Sequence, residues 1–390
     1  MAVYERWLLP DGVDELLPPQ AVAVETLRRK LLDQARTWGY ELVAPPLIEF
    51  LDSLLTGTGN DLALQTFKVT DQLSGRLMGV RADITPQAAR IDARRLHNDS
   101  VTRLCYADTV LHARPAHMMT GRCPLQFGCE LFGEPGLIAD VEAISLMIES
   151  LLVSGQQAIH VDLAHVGIYR GLIGEASLSV DMESKVFDAL RRKSVPELDE
   201  LLGDDALVPE SARMLRYMAS IAGGPEALTA LRAKVGGVSA EVDAAIDDLE
   251  LVAQKIKQRY PSLEIGFDFC ELRGYNYHTG LVFAAYVPGY GHSVAQGGRY
   301  DSIGQDFGLA RPATGFSLDI KVLAAISELS VDGDRTVYAP LLDDAGLWRA
   351  ISGLRSGGER VVQCAEVVSV AGHRQLVLEN GQWVVRAIGE

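Results

Sequence analysis

The spacing of apolar positions changes along the chain and divides it. Val24, Leu27, Leu31 and Ala35 recur every three or four positions and predict a helix over residues 21–38, ended by Gly39. Residues 40–50 read as a strand, but Pro45 and Pro46 interrupt it and place it at a sheet edge or an interface. Residues 67–69 and 77–81 flank Ser74-Gly75 and predict a hairpin. Residues 101–110 and 125–132 predict another, joined by the longer loop 114–122. Val141, Ile144, Ile148 and Leu151 mark an amphipathic helix, with a strand following at 159–163. The pattern becomes helical and rich in charge at about Gly174. It stays so to Ser262, most clearly over 240–260, and predicts an inserted all-helical module. Strand signals resume at 265–269 and 279–286, and a helix over 320–329 closes this part. After a polar linker, 330–335, the tail predicts strand 337–339, helix 345–356, strand 360–363 and a hairpin turning at Asn380-Gly381. Hairpins around one core with helices to one side predict an α+β fold built on an antiparallel sheet. The expected division is a core of residues 1–173 and 263–330, a helical insertion 174–262, and a small C-terminal α/β domain 331–390.

Composition narrows the function classes. With 36 Lys and Arg against 52 Asp and Glu, the formal charge is −16, which disfavours a general nucleic-acid binder. Without a run of 18 apolar residues or an apolar leader, no membrane span and no signal peptide are expected. The five cysteines are odd in number and lack C-x-x-C spacing, which suits reduced thiols and a cytoplasmic location. The eight histidines show no metal-ligand spacing, so neither a metal nor a cofactor is implied. Gly57-Thr58-Gly59 lacks the lysine of a phosphate loop.

Residue chemistry and motif order sharpen this. Segments 39–49 (GYELVAPPLIE), 80–85 (VRADIT), 126–133 (QFGCELFG), 272–283 (LRGYNYHTGLVF) and 296–301 (QGGRYD) follow one another in the order found in histidyl-tRNA synthetases. The chain thus resembles a class II synthetase over roughly residues 9–329, and an antiparallel class II sheet is the implied fold. The first segment resembles motif 1, which builds a dimer interface in that family. By resemblance, free histidine is the ligand. Asp83 would take its ammonium, with Thr85 and the Gln126 amide oxygen sharing the load. Glu130 would accept an imidazole N–H, and Arg273 would hold the carboxylate. Tyr277 and His278 match a tyrosine pair of the family. Asn276 stands where the synthetase has Asp, and His278 where it has the tyrosine that touches the imidazole. Read without the resemblance, Asp83 is a turn cap, Gln126 and Glu130 a solvated strand face, and Arg273 a surface ion-pair partner. Gly297-Gly298 reads as a tight turn and His112 and His117 as exposed loop residues, while Arg299 and Tyr300 receive no role.

Two arginines are missing. The synthetase segment F-R-H-E-R-P aligns with residues 110–115, and G-x-E-R with residues 319–322. Leu111 and Val322 therefore stand where arginines hold ATP phosphates. Arg114 and Lys321 are neighbours facing the wrong way for a simple swap. A synthetase-like chain that keeps the histidine groups and loses the ATP groups resembles the ATP phosphoribosyltransferase regulatory subunit family. That resemblance implies a non-catalytic chain which activates a short-form catalytic subunit, in a hetero-octamer, and mediates feedback by L-histidine. It also implies a motif 1 dimer, and a tail that is a shortened remnant of the anticodon-binding domain. A divergent active histidyl-tRNA synthetase, or a histidine-sensing module for another partner, are the other readings.

Overall fold

The computed structural model describes residues 8–56, 60–96, 100–115, 121–176, 178–203, 210–272, 277–327, 336–365 and 373–388. Arg273, Asn276, His117, the 57–59 segment and the 330–335 linker lie outside the described residues. The chain forms two compact units, residues 1–329 and 330–390.

In the larger unit, α1 (Pro18–Thr37) precedes β1 (Glu41–Leu42) and β2 (Ile48–Phe50), then α2 (Leu51–Leu54) and α3 (Asn60–Gln65). The hairpin β3 (Phe67–Thr70) and β4 (Leu77–Val80) comes next, then α4 (Thr85–Ile91), β5 (Thr102–Thr109), β6 (Leu125–Phe132), α5 (Leu137–Val153) and β7 (His160–His165). Helices α6 (Val166–Ala176), α7 (Val180–Arg191), α8 (Val195–Leu202) and α9 (Glu210–Ser220) lead to β8 (Ala222–Gly223), α10 (Pro225–Val235) and α11 (Ala240–Arg259). Strands β9 (Glu264–Asp268), β10 (Leu281–Tyr286), β11 (Ala295–Arg299) and β12 (Ala313–Asp319) and helix α12 (Ile320–Ile326) complete it.

Nine strands form one sheet in the order β1-β5-β6-β12-β11-β10-β7-β9-β8. Both predicted hairpins are present: β3 pairs antiparallel with β4, and β5 with β6 over eight residues. The sheet is antiparallel at its centre, but β1 runs parallel to β5 and β7 to β9. Each parallel pair is joined by a long excursion, as parallel strands require. The prolines at 45 and 46 split the predicted 40–50 strand. Its halves join different sheets, β1 at the margin of the nine-stranded sheet and β2 at the margin of the three-stranded β2-β4-β3 sheet. Gly174 falls inside α6, so the change in sequence character there is not an element boundary. Gly297 and Gly298 form no turn; they sit within β11, paired on both sides.

One face of the sheet packs Cys105, Phe127, Cys129 and Phe316 against Leu27 and Leu31 of α1 and Ile144 and Ile148 of α5. The alternation along β5, β6 and β12 turns their other residues to the opposite face. There Leu104, Tyr106, Phe132 and Ala313 share a second, smaller core with Ile84, Ala88 and Tyr300. Long helix α11 buries Val242, Ile246, Leu249, Val252 and Ile256 on one stripe, and its N-terminus is capped by the Ser239 side chain.

The smaller unit holds β13 (Val337–Pro340), α13 (Ala345–Ser356), β14 (Val361–Cys364), β15 (Arg374–Glu379) and β16 (Gln382–Ala387). Its sheet has the order β14-β13-β15-β16. Val337, Ala339, Val361 and Leu376 pack on Leu347 and Ile351 of α13. Asn380 (φ 48°) and Gly381 (φ 79°) both take left-handed backbone, as a two-residue hairpin of this kind demands.

Candidate functional site

Strand register builds the floor of a cavity on the sheet face away from α1 and α5. Gln126, Gly128 and Glu130 of β6 lie opposite Asp319, Ser317 and Gly315 of β12. Ser317 and Gly315 in turn lie opposite Gln296 and Gly298 of β11. Two of these glycines create space by close approach. A Cβ on Gly315 would occupy the position of the Glu130 carboxylate, and one on Gly128 that of the Tyr106 hydroxyl. The resulting cavity has a volume of about 440 Å³.

Glu130 is its most buried polar group, 1% exposed. The hydroxyls of Thr85 and Tyr106 each donate to its Oε1 at 2.9 Å, and the Tyr300 hydroxyl donates to Oε2. Burial pushes the Glu130 carboxyl from 4.5 up to about 8, and the three hydroxyls hold back the rise. Beside it, Asp83 Oδ1 accepts from Gln126 Nε2 at 2.7 Å and from the Thr85 N–H at 3.1 Å. Gln126 is a clamp, because its Oε1 also accepts the Ile84 N–H at 3.0 Å. The oxygen and the Thr85 hydroxyl, both expected to face an ammonium, thus have partners within the protein as well. The oxygen meets the backbone and the Thr85 hydroxyl meets Glu130.

Tyr277 and His278 form part of the wall, their rings 4.4 Å apart. Tyr277 is 38% exposed and His278 is 6% exposed. The His278 carbonyl accepts from Arg170 at 2.7 Å, which fixes the backbone before β10. Thus Asp83, Thr85, Gln126, Glu130, Tyr277 and His278 share one cavity, while Arg273 lies outside the described residues.

Of the two positions lacking arginine, Val322 lines the cavity and Leu111 does not. The Leu111 N–H donates to the Arg81 carbonyl. Its neighbour His112 was expected to be exposed. It is half-buried, lines the cavity and sets Nε2 3.0 Å from the Ala82 carbonyl. Arg114 and Lys321 are not on the wall. Among the described residues the wall carries the carboxyl groups of Asp83, Glu130, Glu271 and Asp319 and the imidazoles of His112, His278 and His292, and Arg191 is its one arginine or lysine. Asp319 caps α12, its Oδ1 accepting from the Lys321 and Leu125 N–H groups. Such a wall favours a ligand with a cationic end over a polyphosphate. Among the described residues no group of three His, Cys, Asp or Glu side chains is placed to hold a metal ion, and no helix is long and apolar enough to cross a membrane.

Sequence reasoning missed Tyr106, Tyr300 and Arg299. Arg299 is buried and binds Asp140 at 2.6 Å and the Gly136 carbonyl at 3.1 Å, anchoring β11 to the start of α5. The available signal was glycine inside strands, which marks close approach of another group.

Comparison with known proteins agrees with this architecture. Residues 12–323 match the family model for histidyl-tRNA synthetase. Residues 334–386 match that for the ATP phosphoribosyltransferase subunit HisZ C-terminal domain. The chain is 56% identical to the ATP phosphoribosyltransferase regulatory subunit of Marinobacter nauticus, covering 100% of both chains. It is 51% identical to that of Pseudomonas aeruginosa, covering 99% of both. Among solved structures, an ATP phosphoribosyltransferase regulatory subunit/histidyl-tRNA synthetase from Bacillus halodurans superposes with a TM-score of 0.82 at 24% identity, covering 95% of this chain and 97% of that one. A histidyl-tRNA synthetase from Nostoc does so at 0.77 and 17% identity, covering 98% and 97%. These last two show the shared fold. A synthetase-like core followed by the matched C-terminal domain, with full-length identity above one half, means that the chain belongs to the ATP phosphoribosyltransferase regulatory subunit family.

Proposed function

We propose that this chain binds free L-histidine in the cavity over β6, β11 and β12, and that occupancy regulates a catalytic ATP phosphoribosyltransferase subunit bound to it. The observation that carries this reading is the pairing of two carboxylates in different settings. Asp83 is held by Gln126 and stands ready for an ammonium. Glu130, ringed by three hydroxyls, sits deeper and suits an imidazole N–H. A ligand lacking either donor forgoes a charge-assisted hydrogen bond to a carboxyl already fixed in place by the protein, which is a basis for selection. Arg273 would take the ligand carboxylate.

The chain is not itself an aminoacylating enzyme in this reading. Adenylation needs preorganised cations on the phosphates, and loss of one such donor costs about 10²–10³ in rate. Val322 supplies an apolar wall where one of them would act. Histidine favours a low-activity state of the complex; its absence favours the active one. The coupling is on the order of 1–3 kcal/mol and reciprocal, so substrates that favour the active state weaken histidine binding. The partner is a short-form catalytic chain in a hetero-oligomer, with this chain's motif 1 segment pairing two copies.

The test is co-expression with a short-form catalytic subunit, followed by an activity assay with and without histidine. Stimulation that histidine reverses supports the reading. No stimulation, or histidine-dependent pyrophosphate exchange by the purified chain alone, overturns it. Calorimetry locates the site: Asp83→Ala and Glu130→Ala should each weaken histidine, and unchanged affinity in both places it elsewhere.

A further inference from the structure

We propose that Arg191, at the end of α7, binds the carboxylate of the amino acid in the cavity and thereby ties occupancy to the helical segment between β7 and β9. This rests on the histidine reading above and adds a second residue for the ligand's anionic end, drawn from outside the hairpins.

An amino acid is a zwitterion and needs both signs in its site. The described wall carries the carboxyls of Asp83, Glu130, Glu271 and Asp319 and the imidazoles of His112, His278 and His292, and its single guanidinium is that of Arg191. The carboxylate of a ligand whose ammonium meets Asp83 is drawn to that guanidinium, and Arg offers the planar fork that carboxylates prefer. Arg191 does not come from the strands that form the floor. It reaches the cavity from α7, together with Phe187 one turn earlier. The guanidinium carbon lies 5.8 Å from the Phe187 ring centroid, and Phe187 packs on Tyr169 at 5.6 Å. Tyr169 is buried in α6, which also packs on α11. Ligand, Arg191, Phe187, Tyr169 and α6 thus form a physically continuous series. A cavity of about 440 Å³ suits a drug-sized ligand. A single amino acid leaves room in it beside the exposed Arg191 side chain.

The experiment compares L-histidine with histamine, which keeps the ammonium and the imidazole and lacks the carboxylate. Calorimetry uses the full chain as wild type, Arg191→Ala and Arg191→Lys. Arg191→Ala is expected to weaken L-histidine about ten- to a hundredfold, the range for a lost charge-assisted hydrogen bond. Histamine should stay within about twofold of its wild-type affinity, and Arg191→Lys should fall between. Hydrogen exchange over residues 180–191 should slow with L-histidine, not with histamine, and not in Arg191→Ala. Equal losses for both ligands, or no loss for either, would overturn the assignment and leave the histidine site standing. Failure of the wild-type chain to bind L-histidine would overturn both.

Discussion

Glu130→Gln isolates the energetic cost of the carboxylate at the bottom of the cavity. Glutamine keeps the shape and removes the ionisation. In the protein without ligand the Glu130 carboxyl titrates at about 8, against 4.5 for an ordinary glutamate, because burial outweighs the Tyr300, Tyr106 and Thr85 hydroxyls. The sign follows from proton counting. Below pH 4.5 the group is protonated both folded and unfolded, and contributes no pH dependence. Between the two values the folded chain holds the proton that the unfolded chain has released, so stability falls as pH rises. Above about 8 both forms are ionised and the loss levels off. A gap of roughly 3.5 pH units at 1.36 kcal/mol each puts the full loss at about 5 kcal/mol. Glutamine does not titrate, so the stability difference between wild type and Glu130→Gln should move toward the variant by several kcal/mol from pH 5 to pH 8. Because the chain has two compact units, its unfolding is not one transition. The readout is therefore urea unfolding followed by hydrogen exchange of β5 and β6 peptides, at constant ionic strength. Parallel curves for the two proteins would refute the reasoning, since they would mean that Glu130 titrates alike folded and unfolded.

Three further outcomes test the surrounding geometry. Tyr300→Phe removes the donor to Oε2 and should push the Glu130 carboxyl higher by about one pH unit; the same hydrogen-exchange series reads this as a later levelling of the curve. Gly315→Ala puts a methyl group where the Glu130 carboxylate lies. It should cost about 1–3 kcal/mol by overpacking and abolish histidine binding in calorimetry, with near-UV circular dichroism reporting whether the fold survives. Arg299→Met leaves Asp140 buried without its cation and should cost about 3–5 kcal/mol, read by hydrogen exchange of β11 and α5 peptides; a loss below about 1 kcal/mol would mean that the pair is not structural.

The elements were legible where a local signal fixed them. The β5–β6 and β15–β16 hairpins follow from alternation and turn residues, and α11 from its apolar stripe. The parallel pairings of β1 and β7 were not legible, because nothing local specifies which distant strand a segment joins. The site divides in the same way. Asp83, Gln126 and Glu130 lie in segments whose order and spacing carry a family resemblance. Tyr106 and Tyr300 belong to the same carboxylate network, but register across three strands brings them together. No spacing in the sequence encodes a hydroxyl that crosses over Gly128. The protein partners of Thr85 and the Gln126 oxygen were not legible for a related reason. Residue type says what a side chain can bond, whereas the competing backbone N–H of Ile84 and the buried Glu130 carboxylate decide what it does bond.

The bare strands under the cavity set a direction on how its selectivity can change. Gly128, Gly298 and Gly315 already carry the smallest side chain there is, and each space above them is taken by Tyr106, His278 or Glu130. Substitution at these positions can add atoms and cannot remove them. At these three positions the floor is therefore a one-way boundary: point mutation there narrows the range of molecules admitted or closes the site. Any broadening toward a bulkier ligand has to come from other positions of the cavity, such as Tyr277, Val322 and Arg191, which can still be made smaller.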